Sequence, residues 1–200
     1  MTDDEAIMHC QNGDRDAFRH LVERYKDVLF GTAVLMTGNR ALAEEQVQEA
    51  LLSAWRGIRS FRLGNPVKPW LLRILVNAVL AQQRRRSIQT VRLNDNGPEE
   101  PGYGNDDPTE TLDALENRMA LRRAIAALNP DHRQVVALRY FAELTVPEVA
   151  RTLGVREGTV KSRLHRALAI LRQQLDEGPH PNPPPEGEGN MPEPSNRQGG

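Results

Sequence analysis

The sequence predicts an all-α protein, two small helical bundles joined by a flexible linker, the second bundle ending in a helix-turn-helix. Three observations carry this. Apolar residues return every three or four positions over two long stretches. Glycines fall at breaks between the periodic runs, and no strand–turn–strand pattern occurs. Two further segments, rich in proline, glycine and acid, interrupt the periodicity and hold too few apolar residues for a core.

In the first stretch, residues 1–86, Phe18, Leu21, Val22, Tyr25, Val28, Leu29, Ala33 and Met36 fall at helical spacing, and Gly38-Asn39 stops that helix. A second helix is expected from about Ala41 to Arg56, with Val47, Ala50, Leu51 and Ala54 inward. Gly57 breaks it and Phe61 to Pro66 reads as a loop. Pro69 suits the first turn of a third helix, which buries Trp70, Leu71, Ile74 and Ala78 and ends in Arg84-Arg85-Arg86. Residues 87–111, with Asn94-Asp95-Asn96-Gly97-Pro98 and three prolines, read as an acidic linker. Residues 112–177 return to helical periodicity, and 178–200 read as a disordered tail rich in Pro, Gly and Glu.

Composition narrows the function classes. Hydrophobic residues make up 38% of the 200 and charged residues 26%, as in a globular protein with some disorder. No apolar run approaches the ~20 residues of a membrane helix, so no membrane insertion is expected. The N-terminal MTDDEAIMHC is acidic and lacks the apolar stretch of a signal peptide, which points to a cytoplasmic protein. Cys10 is the lone cysteine, which excludes an internal disulfide or a cysteine-cluster zinc site. The five histidines make no HExxH spacing or ligand cluster, and there is no glycine-rich phosphate loop. Neither an enzyme, nor a metal site, nor a cofactor is expected.

The net charge of −1 conceals alternation: residues 1–86 carry +3, 87–111 carry −5, 112–175 carry +5 and 176–200 carry −4. Basic modules attract phosphate backbones and acidic tethers repel them. By itself this pattern fits a solvated surface with acidic tethers equally well.

The most specific segment is 143–175. Thr145 and Glu148 have the spacing of a capping box, and Pro147 is tolerated in the first turn. A short helix turns Val149, Ala150 and Leu153 inward. Gly154 makes the turn, Val155 packs between the helices, and a longer helix from Arg156 or Glu157 buries Val160, Leu164, Ala167, Leu168 and Leu171. Its other face offers Arg156, Glu157, Thr159, Lys161, Ser162, Arg163 and Arg166, the donors and acceptors that a helix in a major groove uses. A charged solvent face on an ordinary helical hairpin is the plainer alternative.

The run LNPDHRQVVALRYFAELTVPEVARTLGVREGTVKSRLHRALAILRQQL resembles region 4, the promoter-binding domain of bacterial sigma factors, and GTVKSRLHRAL is especially similar to the extracytoplasmic-function (ECF) class. AFRHLVERYKDVLFGTAVLMTGN, AEEQVQEALLSAW and FRLGNPVKPWLLRILVNAVLAQQRRR resemble region 2 of that family. Together these cover roughly 15–86 and 112–175. Arg156 departs from the small or proline residue usual there, and Gln46 from an apolar one.

The resemblance implies a factor that brings core RNA polymerase to promoter DNA, with an anti-sigma factor as inhibitor. It implies −35 contacts by Arg156, Glu157, Thr159, Lys161, Ser162, Arg163 and Arg166. It places −10 recognition at Arg59, Phe61, Arg62, Lys68, Arg73 and Asn77, where the loop before Trp70 captures a flipped base. Polymerase docking falls to Glu45, Gln48, Glu49 and Leu52, whose acidic surface with one apolar anchor suits a basic partner. Trp55 and Trp70 sit on apolar stripes and read as core. A stand-alone helix-turn-helix regulator would account for 143–175 but leave the first bundle unexplained.

Overall fold

The computed structural model describes the backbone of residues 1–90 and 112–176 and the side chains of 1–85 and 114–176. Most of the expected linker, all of the expected tail and the Arg86 side chain lie outside the described residues. Every regular element among the described residues is helical.

The first bundle holds four helices. Helix α1 (Asp3–Gln11) starts on a reciprocal cap: the Thr2 N–H donates to the Glu5 carboxylate at 2.7 Å, and the Glu5 N–H donates to the Thr2 hydroxyl at 3.2 Å. Helix α2 (Arg15–Thr37) is capped by Asp14, whose carboxylate accepts from the N–H groups of Asp16 and Ala17, and ends at Gly38. Helix α3 (Arg40–Gly57) is capped by Asn39, and a single 3₁₀ turn, Ile58–Ser60, follows it. Helix α4 (Val67–Thr90) begins two residues before Pro69 and runs four residues into the segment read as linker. The helix α1 was not separable by periodicity, because nine residues give only three inward positions, Ala6, Ile7 and Cys10.

The second bundle holds α5 (Leu112–Ala127), α6 (Pro130–Val136), α7 (Val146–Leu153) and α8 (Glu157–Asp176). Asn129 caps α6, and a π-helical turn, Ala137–Phe141, continues it. Gly154 adopts φ +67° between α7 and α8, a left-handed conformation that a Cβ would strain. The inward set of α8 is Val160, Leu164, Ala167 and Leu171. Leu168, expected inside, is 38% exposed, because it falls one position past the stripe that meets α6.

The bundles pack on one another, which the sequence did not disclose. One continuous core joins Leu21, Leu29, Leu72, Leu75 and Val76 to Leu138, Leu144, Val149 and Val160. A smaller cluster of Ala124, Ile125, Leu128, Val136, Ala167 and Leu171 sits between α5, α6 and α8, with Leu35 of α2 against it. Each fully buried Leu or Val contributes about 1.5–3 kcal/mol. At the junction the Phe141 ring lies on the bare backbone of Gly31; a Cβ there would stand 2.1 Å from the ring.

Candidate nucleic-acid interface and docking face

The loop that follows the 3₁₀ turn enters α4 through Pro66 and Val67. Phe61, Val67 and Leu71 point into the core and hold the loop against the helix. The Phe61 ring meets Trp70 with centroids 4.8 Å apart and planes tilted by 58°. Above this pair opens a cavity of about 310 Å³. The loop side supplies Ser60, Phe61, Arg62, Asn65, Pro66, Pro69, Trp70 and Arg73; α7 supplies Glu148, Arg151 and Thr152. Arg62 and Arg73 are exposed cations beside an aromatic wall, a combination that holds a base and its phosphate.

The six residues assigned to −10 recognition do not converge on one spot. Phe61, Arg62 and Arg73 line the cavity. Phe61 is 8% exposed, so it is a wall packed on Trp70 and not a free stacking platform. Arg59 is exposed on the 3₁₀ turn, outside the cavity lining. Lys68 pairs with Glu143 of the second bundle at 3.8 Å. Asn77 lies further along α4 and faces a different groove.

That second groove, about 670 Å³, runs between α3 and α4. Glu45, Gln48, Glu49 and Leu52 follow the i, i+3, i+4, i+7 spacing of one helical face and all line it. Leu52 is 53% exposed and the other three are exposed as well. Asn77, Ala81 and Arg85 form the opposite wall. Gln46 is buried at the same edge, and so forms part of the wall's support.

In the second bundle, the Glu148 carboxylate accepts from the Thr145 N–H at 2.8 Å and the Thr145 hydroxyl at 2.6 Å. These two hydrogen bonds, hydroxyl first, hold its pKa below the usual carboxylate value, aided by Arg151 and Lys68. Arg156, just before α8, and Glu157, Lys161, Ser162 and Arg166 on it are exposed side chains. Thr159 is half-buried. Arg163 is also half-buried, because its guanidinium reaches Asp131 on α6. So five of the seven residues assigned to −35 contact are exposed on the outer face, Ser162 with its hydroxyl donating to the Thr159 carbonyl at 3.0 Å, and Arg163 is engaged within the protein.

Residue assignment from sequence missed α1 and the α7 wall of the cavity. The spacing of Thr2 and Glu5, followed by Asn12-Gly13-Asp14, marks α1 in retrospect as a short capped helix. The α7 wall had no local signal, since it depends on how the bundles meet. Among the described residues no group of three or more His, Cys, Asp or Glu is placed to hold a metal. Cys10 is buried, and desolvation pushes its thiol up to about 11.

A short capped helix, a left-handed glycine and a longer helix with a basic outer face define a helix-turn-helix protein, here with a second helical unit attached. Residues 21–88 match the Sigma-70 region 2 family and residues 118–171 the Sigma-70, region 4 family. The chain is 31% identical over 160 residues to the ECF RNA polymerase sigma factor SigL of Mycobacterium tuberculosis, covering 80% of this chain and 89% of that protein. It is 31% identical over 176 residues to SigW of Bacillus subtilis, covering 84% and 94%. Among solved structures, the sigma factor RpoE in complex with the anti-sigma factor NepR from Bartonella quintana superposes with a TM-score of 0.71 at 24% identity, over 80% of this chain and 98% of that one. The chain belongs to the ECF class of RNA polymerase sigma factors, and its work is promoter-specific transcription initiation. No helix among the described residues is long and apolar enough to cross a membrane.

Proposed function

We propose that the chain binds core RNA polymerase through the α3 face and reads a promoter at two places. Helix α8 enters the major groove of the −35 element with Arg156, Glu157, Thr159, Lys161, Ser162, Arg163 and Arg166. The loop before Trp70 holds an unpaired base of the −10 element, with Arg62 and Arg73 on the adjacent phosphates. Extruding a base costs a few kcal/mol, so the site must be shaped before the base arrives. The cavity bounded by Phe61, Trp70, Arg62 and Arg73 is the observation that carries this reading. Arg59, exposed on the neighbouring 3₁₀ turn, adds charge along the strand; Lys68, paired with Glu143, and Asn77, in the α3–α4 groove, meet the strand only if it runs on along α4.

The protein acts in the cytoplasm beside the polymerase. An anti-sigma protein is its regulator in this reading, as NepR is seen with RpoE. Such an inhibitor has two surfaces to cover, the α3–α4 groove and the outer face of α8.

The test is reconstitution. The full chain is mixed with core polymerase and fragmented DNA of the source genome, and run-off transcripts are sequenced. Transcripts with shared upstream elements are expected. Sequence-specific DNA binding with no transcripts would instead mark a stand-alone regulator.

A further inference from the structure

We infer that Gln11 is a positioning residue for strand opening: from the last turn of α1 it holds the base-capture loop in its receptive shape. Its side-chain amide donates to the carbonyl of Ile58 at 3.0 Å and to the carbonyl of Phe61 at 2.8 Å. Both are partly buried, and they link residues 47 and 50 positions apart in the chain. The two carbonyls bracket the 3₁₀ turn at the mouth of the loop, and the Ile58 carbonyl also takes the Phe61 N–H at 3.1 Å. In the middle of the loop, the Asp4 carboxylate accepts from the N–H of Gly64 at 3.2 Å. One short helix therefore ties the loop at its start and at its middle.

The helix is itself immobilised. Ile7, Ala6 and Cys10 are buried against the first bundle, and Asp3 accepts from Arg24 and Tyr25 on α2. Gln11 does not line the cavity, so it acts through the loop backbone and not on the DNA. A loop preset in the bound shape does not have to be ordered when the base arrives, which strengthens capture. A primary amide is suited to the task, because one nitrogen carries two donors for two carbonyls. Gln11→Glu keeps the shape, removes both donors and sets a carboxylate against two carbonyl oxygens.

The inference rests on the reading of this loop as the capture site. Its test uses holoenzyme of the full chain and the strongest template from the run-off selection. Gln11→Glu is expected to lower transcription from the duplex template roughly tenfold. The same variant is expected to recover to near the wild-type level on that template with its −10 region pre-opened by mismatches, with core binding unchanged. Asp4→Ala, on an exposed contact, is expected to show the same pattern more weakly. A Gln11→Glu holoenzyme that opens the duplex as well as wild type overturns the inference. So does an equal loss on duplex and pre-opened templates, which would signal general damage. Should Gln11→Glu not fold, a duplex-specific loss in Asp4→Ala supports the inference and its absence overturns it. If the run-off selection with wild-type holoenzyme yields no specific transcript from which to take a template, the capture reading itself falls.

Discussion

Arg163 answers two demands. Its guanidinium is bound to Asp131, yet it stands on the helix proposed to enter the −35 groove. If its work is on DNA, Asp131→Asn releases a cation and leaves affinity for a −35 duplex at or above wild type. Arg163→Ala then weakens that affinity by about 1–3 kcal/mol while core binding survives. Titration of a labelled duplex from the run-off selection separates the cases; equal losses in both variants would assign Arg163 to holding α6 against α8. Glu148 gives a pH dependence. Its folded pKa is depressed from 4.5, so its stabilisation is present above that value and lost as pH falls through the lower, folded one. The difference in melting temperature between wild type and Glu148→Gln is expected at neutral pH and should shrink below pH 4.5.

Among elements, α3 shows how one helix serves core and surface at once. Ala43, Val47, Ala50 and Ala54 are buried on one side, while Glu45, Gln48, Glu49 and Leu52 face the groove. Small inward residues, Ala43, Ala50 and Ala54, bring α3 close to α2 and α4, while Glu45, Gln48, Glu49 and Leu52 stay outside. Glu49→Lys is therefore expected to impair polymerase association without lowering helicity. Binding measured by surface plasmon resonance beside circular dichroism checks it; an unaltered affinity would remove Glu49 from the docking face. Glu49 sits within reach of Ser53 only at 3.5 Å, so little internal structure is lost by the change.

For the whole molecule, the contact between bundles has the greatest consequence. The same α7 that begins the helix-turn-helix also walls the cavity over Phe61 and Trp70, and Phe141 rests on Gly31. Gly31→Leu is expected to evict the Phe141 ring and raise the radius of gyration seen by small-angle X-ray scattering. Adding Phe141→Ala makes room for the new side chain, so the double variant should return toward the wild-type profile. Absence of that coupling would show that this contact does not hold the bundles together.

The helix-turn-helix was legible because its signals are local: a capping pair, a glycine that must turn left-handed, and an apolar stripe of period 3.6 in α8. The face of α3 was legible for the same reason, since residues at i, i+3, i+4 and i+7 must share a side. Leu168 misled because stripe width depends on the partner helix. The engagement of Arg163 by Asp131, of Lys68 by Glu143, and of Ile58 and Phe61 by Gln11 joins residues about 30 to 75 positions apart. Those pairings come from how helices dock, and no periodicity records them. Sequence alone thus determined the longer helices, most of the inward face of α8 and the family, because each follows from spacing along one chain. Tertiary structure alone decided which cations are free, what braces the loop and how the two bundles meet, because these depend on distances through space.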